Sequence, residues 1–106
     1  MLLNVRGVQL MTLVSLIERC VQETAAERDV EVPDDFSERT PLFGRDGVFD
    51  SMGLVSLVVA VEEAISDEHG EEITLADQRA MSEKKSPFVN TEALAEYAQK
   101  LIDEGG

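Results

Sequence analysis

Apolar residues in this chain recur every third or fourth position over stretches of helical length, and no stretch reads convincingly as a strand. That periodicity restricts the chain to a packing of helices. Over residues 8–28, Leu10, Leu13, Val14, Ile17, Val21 and Thr24 share a face, with Glu18, Arg19, Glu23 and Glu27 largely off it. Over 51–68, Leu54, Leu57, Val58, Val61 and Ile65 form a second stripe. Asp50 and Ser51 are good capping residues at its start, and His69-Gly70 gives a stop. Over 91–103, Leu94, Tyr97, Ala98, Leu101 and Ile102 form a third stripe, capped by Asn90 or Thr91. A shorter helix is expected over 74–84, capped by Thr74 and carrying Leu75, Ala76, Ala80 and Met81, until Glu83-Lys84-Lys85-Ser86-Pro87 breaks it. The expected fold is all-α, a four-helix bundle. At 106 residues it is one domain, with a core over about 8–103 and frayed ends at residues such as Gly105-Gly106.

Residues 29–50 cannot continue either neighbouring helix. Pro33, Asp34, Asp35, Thr40-Pro41, Gly44 and Gly47 break the period. Yet the segment carries Val32, Phe36, Leu42, Phe43, Val48 and Phe49, more apolar residues than a free linker holds. It is expected to be a long ordered loop, pinned to the core by those side chains, and long ordered loops are often functional. Val55 and Val59 lie off the main stripe of the second helix. Two explanations stay open for them: a broad core contact, or a surface kept for a partner or ligand.

Nine basic residues against 22 acidic ones give a formal net charge of −13. Such a surface repels nucleic acid and anionic lipid, and attracts basic patches on protein partners with salt-dependent rates. The single Cys20 excludes an internal disulfide, and with one histidine no zinc-type Cys/His ligand set exists. A reducing cytoplasm is the natural location. Arg6 followed by the apolar stretch from Leu10 to Ile17 mimics a short signal peptide, but Glu18-Arg19 interrupts it and no A-x-A-like cleavage site follows. The longest apolar run, Leu54 to Val61, contains Ser56 and is far too short for a membrane span.

The segment with chemical content runs from Gly44 to Glu63: Gly44-Arg45-Asp46-Gly47-Val48-Phe49-Asp50-Ser51-Met52-Gly53-Leu54-Val55-Ser56-Leu57-Val58-Val59-Ala60-Val61-Glu62-Glu63. It sets an Asp-Ser pair after a glycine-containing loop, at the head of an apolar helix. A helix start offers unpaired N–H groups and the positive end of the dipole, a favourable place for a phosphodiester. Ser and Asp are also among the commonest helix caps, and taken alone the pair is more readily explained as a cap.

The whole segment resembles the phosphopantetheine attachment site of acyl and peptidyl carrier proteins, whose motif is Asp-Ser-Leu at the start of the second of four helices. Here it stands as Asp50-Ser51-Met52, with Met in place of Leu, and Leu57-Val58-Val59-Ala60-Val61-Glu62-Glu63 looks like the family's second helix. The resemblance is specific over about residues 42–65. It implies a bundle of acyl-carrier-protein type. It also implies a 4′-phosphopantetheine arm on Ser51, with Asp50 as the motif neighbour, transferred from coenzyme A by a separate phosphopantetheinyl transferase. Met52, Val55, Glu62 and Glu63 fall where the family's second helix meets partner enzymes. Those partners would be an acyl- or aminoacyl-loading ligase and acyl-transfer enzymes, and a monomeric carrier with no catalytic group of its own is expected. Gly53 and Ser56 stand where many fatty-acid carriers have acidic residues, which points to a dedicated pathway with its own partners. Gly53 also weakens the first helical turn by up to about 1 kcal/mol relative to Ala.

Two other readings stand beside the carrier. One is an unmodified acidic helical adaptor with a carrier-like fold. The other is a small hydrolase using Ser51 with His69 and an Asp, for which no nucleophile-elbow pattern exists. Cys20 sits near the first stripe and reads as core filler, His69 as a surface or capping residue, and Met11, Met52 and Met81 as packing or contact residues. Lys84-Lys85 is too short for a nucleic-acid patch.

Overall fold

The computed structural model describes residues 5–43, 47–70, 72–75 and 87–104. These form three helices, α1 (Val5–Glu27), α2 (Ser51–His69) and α3 (Thr91–Asp103), and no strand. Beyond Leu75, the short helix expected over 74–84 lies outside the described residues. Among the described residues no helix is long and apolar enough to cross a membrane.

The spine of the molecule is α1. It packs against both α2 and α3, which among the described residues do not pack against each other. A helix with two neighbours must bury a wider arc than one stripe supplies. Leu13, Ile17, Val21 and Thr24 are buried as the spacing predicts, but so are Leu16, Cys20 and Ala25. At 100° per residue these positions sweep roughly 180° of the helix. Leu57, Val58, Val61 and Ile65 of α2 and Leu94, Tyr97, Ala98 and Leu101 of α3 complete the core, with Leu42, Phe49 and Leu75 from the connecting segments.

Each helix is closed by local chemistry. At the end of α1, Asp29 takes a left-handed φ of 60°. The Val30 N–H then donates to the Ala25 carbonyl at 2.8 Å and the Asp29 N–H to that of Ala26 at 3.4 Å, a Schellman closure. Glycine normally holds this position. Asp29→Gly relieves the left-handed strain but loosens the unfolded chain, and a net stabilisation of about 0.5 kcal/mol is expected. A higher urea midpoint at unchanged slope is the readout. Gly70 ends α2 with φ 70° and an N–H bond to the Ser66 carbonyl at 3.1 Å. Asn90, not Thr91, caps α3, accepting from the Ala93 N–H at 2.8 Å.

The loop from 28 to 50 is anchored as expected, and hydrogen bonds make it a strap. The Leu42 N–H donates to the Val89 carbonyl (2.9 Å), the Phe49 N–H to that of Leu42 (2.9 Å), and the Glu92 N–H to that of Glu38 (2.9 Å). Isolated bridges pair Pro41 with Asn90 and Phe43 with Phe49. Leu42 and Phe49 are buried, while Val32, Phe36 and Val48 pack against the core at its edge. Phe43, expected among the anchors, is instead 44 % exposed. The chain doubles back there so closely that a Cβ on Gly47 would fall 2.4 Å from the Phe43 nitrogen, so only glycine fits.

Candidate functional site

The strap delivers the chain to the start of α2, and Phe49 fixes the delivery. Its ring is buried, and Gly53, one turn into the helix, lies directly against it. A Cβ on Gly53 would sit 2.9 Å from both Cβ and Cδ1 of Phe49. The glycine therefore permits a close approach of loop to helix, a role beyond weakening the first turn.

Between Phe49 and Gly53 stand the candidate residues. Asp50 is the N-cap in extended backbone (φ −84°, ψ −172°), and the Gly53 N–H donates to its Oδ1 at 2.8 Å. Ser51 is the first helical residue and is exposed. With the third amide of the helix taken by Asp50, the open end of α2 presents the amides of Ser51 and Met52. The Asp50 carboxylate offsets much of the helix's positive end. A free anion gains little there, whereas a phosphodiester joined covalently to Ser51 needs no such attraction.

Downstream, Met52 (65 %), Val55 (60 %) and Val59 (47 %) are exposed, spaced so as to share one side of α2. The alternative left open for Val55 and Val59 is thereby decided: they face solvent and contribute no broad core contact. Glu63 is exposed. Glu62 is half-buried and turned to an internal task, accepting the Leu75 N–H at 2.7 Å and so holding the segment after α2.

A groove of about 620 Å³ runs between α1 and α2 beside this face, lined among others by Val55, Val59 and Ala60 of α2 and Glu23 and Glu27 of α1. Arg19 of α1 and Glu68 of α2 form an ion pair between the two helices. Glu23 and Glu27 were not singled out in the sequence as site residues, because only the pairing of α1 with α2 brings them beside Val55 and Val59.

Ser51 and His69, the chain's one histidine, occupy the first and last residues of α2. At 1.5 Å per residue they stand about 27 Å apart along the helix, so they cannot form a nucleophile–base pair within one chain. Cys20 is buried as expected. Its thiol is pushed up from 9.0 to about 11, first by burial, then by the charge on Glu23, with Glu68 adding to the rise and Arg19 opposing it. The folded-state value is the higher, so the thiol's contribution to stability is intact below pH 9.0 and is lost as pH rises toward about 11. Native protein at neutral pH is expected to resist thiol reagents until it unfolds, and alkaline urea titrations to show falling stability across that window. Among the described residues no cluster of side chains could hold a metal ion. Compared with known proteins, the chain matches no protein-family model, no curated protein and no solved structure.

Proposed function

We propose that this chain is a carrier that holds acyl or aminoacyl cargo as a thioester on a 4′-phosphopantetheine arm attached to Ser51. The observation that carries the reading is the placement of Ser51: an exposed hydroxyl on the first residue of α2, beside a capping aspartate, delivered by an ordered strap. In the loading step the Ser51 Oγ bonds to the phosphorus that bears the pantetheine arm of coenzyme A. The pyrophosphate bond breaks, adenosine 3′,5′-bisphosphate leaves with the electron pair, and the hydroxyl proton passes to a base on the transferase. The arm's terminal thiol then carries the cargo to partner enzymes, and the chain supplies no reacting group of its own. On this reading the fold is a four-helix bundle, the protein is a cytoplasmic monomer, and Met52, Val55 and Glu63 meet the partners, with Glu62 free to serve the fold.

The test is the intact mass after incubation with coenzyme A and a permissive phosphopantetheinyl transferase. Gain of a single arm, absent in Ser51→Ala, is the expected result. No gain with any transferase, the host's own included, favours an unmodified adaptor instead.

A further inference from the structure

Besides the groove beside α2, the chain carries a second recess, between the first half of α1, the strap and the foot of α3. It opens on nearly the opposite side of α1 from the groove. We propose that this recess is a docking point for a partner protein, and that it takes an arginine side chain with an apolar residue next to it.

The recess measures about 230 Å³ and is lined by Leu10, Met11, Val14, Ser15, Glu38 and Glu92. That is below the roughly 300–1,000 Å³ of small-molecule sites, and it suits a single side chain. Leu10 and Val14, one turn apart on α1, are half-buried and form the apolar side. Met11 stands beside them at 73 % exposure. Two other elements bring a carboxylate each to the same place. Glu38 comes from the strap and Glu92 from α3, and the Glu92 N–H donates to the Glu38 carbonyl at 2.9 Å. Both residues are half-buried, so solvent screens a charge held there less than on the open surface. The chain's own base only grazes the site. Arg39 Nε lies 3.8 Å from Glu92 Oε1, beyond hydrogen-bond distance, and its side chain is 79 % exposed. Two carboxylates beside an apolar wall call for a cation with an apolar stem and several donors. Arginine has both, with five N–H groups to share between the acids, whereas lysine offers a compact, strongly hydrated charge. A second copy of this chain is a poor occupant, since it brings the same net charge of −13.

The inference needs no arm on Ser51, and the test separates the two ideas. The isotope-labelled full chain is titrated with the peptide acetyl-Leu-Arg-Leu-amide. The same peptide with citrulline, a neutral near-isostere of arginine, is the control. Amide shifts should concentrate at 10–15, 38–40 and 92, and the citrulline peptide should bind at least about fivefold more weakly. Glu38→Gln should weaken the arginine peptide about fivefold, and Met11→Ser about threefold. Glu31→Gln, the same loss of charge away from the recess, should leave affinity within about twofold. Arg39→Ala removes the competing base and should tighten binding. Arg28→Ala, an equal change of net charge at the end of α1, should tighten it less. Ser51→Ala should bind as the parent does, whatever the mass experiment gives. The two peptides on the unaltered chain decide the matter even if a variant fails to fold. The proposal is overturned by equal binding of the arginine and citrulline peptides, by shifts spread over the whole acidic surface, or by no binding. It is equally overturned if the resonances of the recess move with protein concentration alone, which would make a second copy the occupant.

Discussion

Leu42→Ala is expected to lower folding stability by about 2–5 kcal/mol, the range for emptying a fully buried leucine site. Leu42 has no exposed surface, although it lies in the loop between α1 and α2 and in no helix itself. Its amide and carbonyl both serve the strap, donating to Val89 and accepting from Phe49. The side chain holds that backbone against the core, so truncation opens a cavity and loosens the frame together. For a domain this size the loss is a large part of a total of about 5–15 kcal/mol. The urea midpoint should fall steeply with the slope unchanged. The next residue supplies the control: Phe43 is the larger side chain but is 44 % exposed, and Phe43→Ala should change stability by less than about 0.5 kcal/mol. Similar losses for the two variants would contradict the burial pattern of the strap.

Gly53→Ala sets two effects of opposite sign against each other. Helix propensity alone favours alanine by about 1 kcal/mol. Packing opposes it, because the new methyl would lie 2.9 Å from Cβ of Phe49, an atom fixed close to the backbone that cannot swing aside. Overpacking of this kind costs about 1–3 kcal/mol, so the net result should be destabilising. Phe49→Leu also destabilises, but the combination Phe49→Leu/Gly53→Ala should lose less than the sum of the two single variants, because the clashing ring is gone. Equilibrium unfolding of the four proteins closes this cycle. A stabilised Gly53→Ala would show that the helix start is looser than described. Because this contact sets the angle at which the strap meets α2, the variant should also slow attachment at Ser51 if the carrier reading holds.

The two residues also mark where sequence legibility ended. Periodicity located all three described helices, and capping chemistry placed the start of α2 at Ser51, because both signals are local. It missed Leu16 and Ala25 as core residues since a single stripe assumes a single neighbour, whereas α1 serves two. The glycine at 53 read as a weak spot because its reason, the Phe49 ring, is a matter of three-dimensional approach. Glu62 looked like a surface acid until the backbone of Leu75 came back to meet it. Among the loop's apolar residues the sequence could count anchors but could not tell Leu42 from Phe43, since facing depends on the bridge that pairs Phe43 with Phe49. The exposed hydroxyl at residue 51 was legible as a candidate; the groove beside α2 was not, because half of it belongs to α1.

The strap also decides how a load on the leading tip of α2 is shared. Phe49 stands just ahead of the α2 cap and is tied through Leu42 to Val89, which stands just ahead of the α3 cap. A pull on anything tethered at residue 51 is therefore borne by the foot of α3 as well as by the spine. The two feet rest on a common sill, although the shafts above do not pack against each other.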